Sequence, residues 1–393
     1  DVNTDSDHYL SLFSDPGQGD FLKQGVTTII GGNCGASLAP LLDGSLKSVR
    51  KWGDISGINI GWRTLREFFQ ILERDKLGVN FGTLAGHSTI RRAILGEELR
   101  DLSEPELNIF KAALVQTFQD GAFGLSTGLG YSHSKNTPYR EIAELVKVVS
   151  RFKKVYATHL RNEKEGLLAS VNETMRIAEE TGANIEITHY RPLKGFEKDY
   201  NDSLLTLERE SGRLHIHFDL YPFDTSTVVI YTLLPEWAQK GGLEAMLHNL
   251  STPSINERIK QEIGFIDSED LIVGKVPSNL KFLLGKTLKD FSLNQDLKPS
   301  DALVKLMIVS ELKAVLFYRN INFDSMEKAL VSPQAIISSN GASLPANSSV
   351  LKHKRYFSTF TGFLSLIQEK NLLSLEKGIF KITSLPAEKY GIK

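Results

Sequence analysis

Three residues whose side chains zinc prefers as ligands each end or closely follow a run of strand-forming residues. Cys34 follows VTTII and two glycines, His159 ends VYATH, and His189 ends ANIEITH. One thiolate and two imidazoles can hold zinc and leave a fourth position open for water. Zinc in such a site polarises a carbonyl and activates the bound water at neutral pH. The pattern predicts a hydrolytic zinc site. The alternative is that Cys34 is a small buried hydrophobe and the histidines are hydrogen-bonded core residues.

Two arginines follow the histidines closely. Arg161 and Arg191 each lie two positions after a predicted ligand, and alternate residues of a strand point to one face. Guanidinium groups bind carboxylates through two parallel hydrogen bonds, so both arginines are candidates for binding a substrate carboxylate. For either arginine a surface ion pair stays open as an alternative. The pair His215 and His217 comes at the start of its strand, so we do not assign it to the metal.

The elements that must position these residues alternate between short buried strands and longer helices. Apolar or β-branched runs of this kind are typical of parallel strands covered by helices. With Asp1–Asn3 as the end of one more strand, eight strands predict an α/β fold, the (β/α)8 TIM barrel, whose functional residues collect at the carboxyl ends of the strands. A doubly wound sheet is the alternative. The seven other strands are predicted at Val26–Ile30, Val79–Ala85, Ala122–Thr127, Val155–His159, Ala183–His189, Leu214–Leu220 and Ala335–Ser339.

The segment 228–320 breaks this alternation. It contains Trp237, a Gly241-Gly242 pair and two helix-like pieces. We predict that it is an inserted subdomain that acts as a lid, between the seventh and eighth strands. The barrel then comprises 1–227, with the first seven strands, and 321–393, with the eighth strand, a final helix and the start of a C-terminal segment.

Composition excludes several classes of protein. The chain has 393 residues, of which 41% are hydrophobic and 24% charged, and its net charge is −1. A nearly neutral chain lacks the basic surface that nucleic acid or anionic lipid favours, and no run reaches the ~20 apolar residues of a membrane helix. A single cysteine forms no internal disulfide, which suits a reducing, cytoplasmic compartment. We expect a small-molecule substrate and neither nucleic acid nor membrane as a partner; the oligomeric state stays open.

A further set of motifs follows one order along nearly the whole chain outside the insertion. They are GVTT, GNCG and LAP around Cys34, GLSTGL before Tyr131, THLRNE from Thr158, TH at His189, DLYP from Asp219, HKR from His353 and TSLPA from Thr383. Together they resemble the N-acyl-D-amino-acid deacylase (D-aminoacylase) family of the amidohydrolase superfamily. The resemblance implies a TIM barrel of the metal-dependent hydrolase type that uses tightly bound Zn2+ to hydrolyse the amide bond of N-acyl-D-amino acids.

The resemblance also implies roles for single residues. The metal ligands that it implies are the cysteine and the two histidines already named. Tyr131 matches the substrate-binding tyrosine of the family, and Arg191 matches the basic residue that meets the substrate carboxylate. Arg161 and Tyr221, which also follow or end strands, are further candidates for substrate binding.

The first strand departs from the family pattern. The family ends this strand in a His-x-His metal pair, whereas the matching positions here are Asn3 and Asp5. The resemblance implies that this histidine pair belongs to a second, more loosely held metal site, which here loses both histidines. Asp5 remains a candidate ligand for a hard cation.

The last strand departs as well. The family ends it in Ser-Asp-Gly, whose aspartate activates the water, whereas this chain has asparagine at the same place, Asn340. An amide cannot take up and pass on a proton at neutral pH. We therefore expect another base, slow turnover or none, with Asp7, Glu163 and Asp219 as candidate replacements.

The termini depart too, because the family flanks its barrel with a small β-sandwich that is missing or truncated here. A barrel that lacks most of its first strand leaves an open edge, so we expect the chain to be a fragment. The predicted function is zinc-dependent hydrolysis of N-acyl-D-amino acids. Two alternatives stay open: a non-catalytic relative that binds a metal or a D-amino-acid derivative, and an amidohydrolase that acts on a cyclic amide.

Overall fold

A computed structural model describes residues 1–6, 10–42, 46, 49, 55, 58–263, 267–345 and 350–392. Contacts divide the chain into two compact units. The barrel unit consists of Asp1–Pro222, Asn322–Ala346 and Lys354–Lys393, and the inserted unit consists of Phe223–Ile321 with a short segment that ends at His353. The candidate base Asp7 and its neighbour His8 lie outside the described residues.

The described residues form eleven strands, eight of which make the barrel. The strands are β1 (Val2–Asn3), β2 (Thr28–Gly31), β3 (Asn80–Gly86), β4 (Gly124–Gly128), β5 (Val155–His159), β6 (Asn184–Ile187), β7 (Ile216–Leu220), β8 (Ser226–Val229), β9 (Leu271–Lys275), β10 (Val315–Tyr318) and β11 (Ala335–Ile337). In the barrel, β1 to β7 and then β11 are parallel neighbours in chain order. Because this order has no reversal, it excludes the doubly wound sheet and confirms the TIM barrel. A bridge between Ser6 and Gly341 connects the first and last strands.

Helices alternate with these strands. They are α1 (Ser11–Ser14), α2 (Gly19–Leu22), α3 (Leu65–Asp75), α4 (His87–Leu95), α5 (Glu104–Gln119), α6 (Tyr139–Arg151), α7 (Leu167–Thr181), α8 (Glu197–Glu210), α9 (Gly242–Ser251), α10 (Pro253–Ile263), α11 (Leu288–Asn294), α12 (Pro299–Val309), α13 (Phe323–Val331), α14 (Lys354–Phe357), α15 (Thr359–Glu369), α16 (Leu375–Ile382) and α17 (Ser384–Tyr390). Local sequence sets their ends. In α3, Thr64 and Glu67 form a capping box, and α7 ends at Gly182 with φ 64°, a conformation that glycine adopts without strain.

The inserted unit has its own sheet and core. Its three strands are antiparallel in the order β8-β10-β9, and α9 to α12 belong to the same unit. Leu250, Ile259, Val273, Met307 and Leu316 are buried in one apolar cluster of this unit. Each aliphatic side chain buried in this way contributes ~1.5–3 kcal/mol to folding.

In the barrel unit, one apolar cluster joins strands to the last helix. Ile30, Leu84, Val155 and Ala157 are buried together with Tyr390 of α17. The final helix therefore packs on the strands through this cluster. Among the described residues, none of the helices combines the length and the apolar character that spanning a membrane would require.

Candidate metal centre

The three predicted ligands meet in the folded chain. Nε2 of His189 lies 3.1 Å from Sγ of Cys34 and 3.0 Å from Nδ1 of His159, and Sγ of Cys34 lies 3.8 Å from the same Nδ1. All three side chains are buried. Within the described part of the chain, this is the one group of three or more His, Cys, Asp or Glu side chains whose donor atoms converge to within 4.8 Å of one another.

The barrel strands bring these residues together from distant parts of the sequence. Cys34 follows β2, His159 ends β5, and His189 follows β6. The backbone N–H of His189 donates a hydrogen bond of 2.8 Å to Oδ1 of Asp219 at the end of β7. This bond connects a predicted ligand to the neighbouring strand and fixes the backbone from which its imidazole projects.

A glycine and a tyrosine shape the space around His159. A Cβ at Gly130 would lie 2.5 Å from Nε2 of His159, so a larger residue there would displace the ring. The ring of Tyr131 lies 4.9 Å from that of His159 and 6.0 Å from that of His133, centroid to centroid. The sequence-predicted Tyr131 thus lies in direct contact with the cluster.

The protonation state of His189 suits a metal ligand. Burial lowers the pKa of His189 well below its ordinary value, and the positive charges of His159 and Arg191 lower it further. The imidazole is therefore neutral at neutral pH, with a lone pair available on one nitrogen. A neutral imidazole is the form that binds metal.

Arg191 is paired with Glu163 in this structure. Nη2 of Arg191 donates to both carboxylate oxygens of Glu163 at 3.1 Å. Burial raises the pKa of Glu163 and is the largest single effect, but the charges of Arg191 and His159 and the hydrogen bond from Arg191 together outweigh it, so the pKa lies below its ordinary value. Glu163 is thus a charged, largely buried carboxylate. Nε of Arg191 is also buried and has no hydrogen-bond partner among the described residues.

Arg161 has a different environment from Arg191. Its guanidinium donates to Glu173 of α7 at 2.8 and 3.1 Å and also to the backbone oxygens of Lys135 and Thr137. These bonds connect two loops of the barrel unit. Because the donors of Arg161 serve these loops, we do not include it in the site proposed below.

Tyr221 and Asn340 are both buried at the ends of barrel strands. The guanidinium of Arg355, itself buried, lies 5.6 Å from the centre of the Tyr221 ring. The HKR motif does not by itself indicate that Arg355 is buried, because burial of an arginine has no simple sequence signal. Asn340 has φ 41°, and its Oδ1 has no hydrogen-bond partner among the described residues.

The two residues at the His-x-His positions are not members of the cluster. The side chain of Asn3 is fully buried and bonds to Ser338 and Ser339 beside β11. Asp5 is also fully buried but does not belong to the converging donor group. Its charge acts instead on Asp219, whose pKa is raised well above its ordinary value by burial and then by Asp5 and Glu186.

Comparison with known proteins finds relatives that match the whole length of this chain. No family model matches the chain. N-acyl-D-aspartate deacylase of Alcaligenes xylosoxydans xylosoxydans is 27% identical over 407 residues, which cover 100% of this chain and 71% of that protein. D-aminoacylase of the same organism is 25% identical, with shares of 100% and 72%.

A solved structure shows the same fold. The crystal structure of N-acyl-D-glutamate deacylase from Bordetella bronchiseptica, complexed with zinc and a phosphonate inhibitor that mimics the tetrahedral intermediate, matches with a TM-score of 0.79 at 21% identity. The match covers 99% of this chain and 74% of that chain. Together, the comparisons confirm the resemblance to the N-acyl-D-amino-acid deacylase family that the motifs predict.

Proposed function

We propose that this chain is a zinc-dependent hydrolase that cleaves the amide bond of N-acyl-D-amino acids. The observation that carries the proposal is the buried cluster of Cys34, His159 and His189, whose donor atoms converge from three strands. The relatives that match the full length of the chain support the reaction, since they are named for the deacylation of D-amino acids. Zinc is supported by the related structure that contains it.

The residues fit zinc by their chemistry. One sulfur and two imidazole nitrogens are a donor set that zinc accepts, and a site with three protein ligands leaves one position for water or substrate. The buried imidazole of His189 is neutral, as ligation requires. Zinc bound there would supply a Lewis acid for the acyl carbonyl and a water of lowered pKa.

Arg191 is the residue that we propose for the substrate carboxylate. One nitrogen of its guanidinium holds Glu163, while its buried Nε has no hydrogen-bond partner among the described residues. A buried donor without a partner is costly, and a carboxylate that accepts from it would satisfy it. We propose that Tyr131, in contact with the His159 ring, and Tyr221 contact the same substrate.

Asn340 favours one alternative, a relative that binds a D-amino-acid derivative without turning it over. Its amide can donate a hydrogen bond to water or accept one, but it cannot take up a proton. General base catalysis contributes typically 10²–10⁴-fold to rate. Turnover, rather than zinc content, separates the two functions, because both are compatible with a bound metal.

The test combines metal analysis with turnover. Purified full chain is loaded with zinc, dialysed and analysed for metal, and then incubated with N-acetyl-D-aspartate, N-acetyl-D-glutamate, N-acetyl-D-leucine and their L enantiomers. We expect one tightly bound zinc and release of free D-amino acid only. Cys34→Ser is expected to lose the zinc and the activity, because a hydroxyl is a poor substitute for a thiolate ligand.

His248→Asn, at an exposed histidine of the inserted unit, is the control and is expected to keep both zinc and activity. Zinc retained by Cys34→Ser at the wild-type level would contradict the proposed centre. Bound zinc and bound N-acetyl-D-amino acid without any release of product would favour the non-catalytic alternative.

A further inference from the structure

Glu163 lies against both histidines of the cluster, on the side away from the cysteine. Its Oε2 is 3.7 Å from Nε2 of His159, and its Oε1 is 3.8 Å from Nδ1 of His189. These are the two ring nitrogens that do not converge on Cys34, since the converging ones are Nδ1 of His159 and Nε2 of His189. One carboxylate therefore faces the outer nitrogens of both predicted ligands.

The loop after β5 holds Glu163 in this place. The backbone N–H of Asn162 donates to Oγ of Ser170 at 3.0 Å, and the Asn162 side chain accepts from the backbone N–H of Lys164 at 2.8 Å. Arg191 then holds the carboxylate itself through contacts with both oxygens. The side chain is thus restrained from both ends and keeps its negative charge next to the imidazoles.

The two histidines need opposite tautomers to serve one metal ion. His159 must carry its proton on Nε2 so that Nδ1 is free to donate a lone pair, whereas His189 must carry its proton on Nδ1 so that Nε2 is free. Which nitrogen of a histidine is protonated depends on the hydrogen bond made by the other nitrogen. Nδ1 of His189 has no hydrogen-bond partner among the described residues, and Glu163 is an acceptor that lies beside it.

We propose that Glu163 is a positioning residue that fixes the tautomers of His159 and His189 with a single carboxylate. The present distances exceed a hydrogen bond, and a shift of about half an ångström would bring each within range. The inference rests on the proposed function, because it assumes that the cluster binds zinc. The inference also argues against Glu163 as the replacement base, because its carboxylate faces the outer ring nitrogens of the two histidines.

The first test compares zinc affinity in matched variants. Glu163→Gln keeps the shape of the side chain, but its amide offers one oxygen and presents N–H groups to the second imidazole. We expect the zinc Kd, measured by competition with a chromophoric chelator, to rise about 10–100-fold, the usual effect of removing such a partner. Glu173→Gln is the control, because Glu173 pairs with Arg161 and its side chain is 20% exposed, against 21% for Glu163.

Glu173→Gln is expected to keep the wild-type zinc Kd, so the loss of an ion pair with a partly buried arginine would not by itself explain the effect. Wild-type affinity in a folded Glu163→Gln protein would overturn this inference and leave the zinc centre intact. A wild-type protein that binds no zinc would overturn the centre, and with it the inference.

The second test needs no variant and so does not depend on how Glu163→Gln folds. Nitrogen-15 NMR of the zinc-loaded wild-type protein, labelled at its nine histidines, reports the protonated nitrogen of each neutral ring. We expect His159 with the proton on Nε2 and His189 with the proton on Nδ1. The opposite tautomer at either histidine in the zinc-loaded protein would overturn the inference.

Discussion

Backbone strain at single residues marks the candidate centre. Cys34, His189 and Asn340 follow three different barrel strands, and all three adopt left-handed φ angles of 54°, 39° and 41°. This conformation costs a residue with a Cβ about 1–3 kcal/mol and persists where the surrounding structure imposes it. Each turn takes the side chain out of the regular strand alternation. Such strain gathers at functional sites, which agrees with the proposed function.

Asn340 is the residue at which the proposed reaction can be changed most directly. Asn and Asp both tolerate the left-handed region, so Asn340→Asp should leave the φ of 41° undisturbed while adding a group that can take up a proton. We expect the rate of N-acyl-D-amino-acid hydrolysis to rise about 10²–10⁴-fold if this position has lost the base. Steady-state kcat on zinc-loaded protein measures the effect.

Asn340→Gly is the control, since glycine adopts the left-handed region without strain and has no polar side chain. It is expected to gain nothing and to keep the bound zinc. If Asn340→Asp binds zinc and folds normally yet turns over no faster than wild type, the missing base does not belong at this position.

Element boundaries show which parts of the fold could be predicted. The sequence predicts strands near β2 to β7 and β11 because each contains a run of β-branched or apolar residues that alternates with a longer helical segment. Two predicted ends are too long. The predicted Ala183–His189 stops at Ile187, before the left-handed His189, and the predicted Ala335–Ser339 stops at Ile337.

The candidate site could be predicted only in part. Strand ends are readable from sequence, and this is enough to predict that Cys34, His159 and His189 lie close together, as their donor atoms do. The partner of a side chain depends on tertiary contacts, and nothing in THLRNE shows that Glu163 faces two imidazoles. The sheet β8-β10-β9 of the inserted unit was missed as well, because its strands are distant in sequence and lie among helices.

The seam between the first and last barrel strands depends on side chains. β1 has only two residues, and Asn3 there donates to Oγ of Ser339 at 2.8 Å. The same side chain accepts from Oγ of Ser338 at 3.0 Å and from the backbone N–H of Ser339 at 2.9 Å. An amide both donates and accepts hydrogen bonds, so the Asn3 side chain can make all of these bonds at the seam.

Removal of this side chain should weaken the barrel at the seam. Asn3→Ala leaves the buried backbone N–H of Ser339 without its acceptor, at a cost of about 1–3 kcal/mol. It also removes the bonds of Asn3 to the Ser338 and Ser339 hydroxyls, which keep their bonds to Asp5 and Gly341. We expect the unfolding free energy of the barrel unit, from urea denaturation, to fall by about 3 kcal/mol. The control is Asn80→Ala, at an exposed asparagine of β3 whose side chain reaches Thr28 at 3.4 Å, and it should change little. Equal effects of the two variants would show that the seam bonds add no stability.

At the scale of the whole molecule, the two ends of the barrel carry different ionisable groups. The carboxyl ends hold the cluster of cysteine and histidines, while α17 brings Lys389 to the amino ends of β6 and β7. The ammonium of Lys389 donates to the backbone oxygens of Ile185 and His215 and lies 3.2 Å from Nδ1 of His217. Burial lowers the pKa of Lys389 to about 7, so this end of the barrel contains a lysine that burial disfavours in its charged form.

His217 makes this end of the barrel sensitive to acid. Burial, and then the charge of Lys389, lower its pKa to about 3, against ~6.5 in the unfolded chain. Between these values the unfolded state binds a proton that the folded state does not, so stability falls as pH drops below 6.5, by about 2 kcal/mol at pH 5.

His217→Asn keeps an acceptor for Lys389 without the titration. We expect its melting temperature to fall less than that of wild type between pH 7 and pH 5, whereas the exposed-site control His248→Asn should follow wild type. Parallel melting curves for all three proteins across this range would show that His217 carries none of the acid sensitivity.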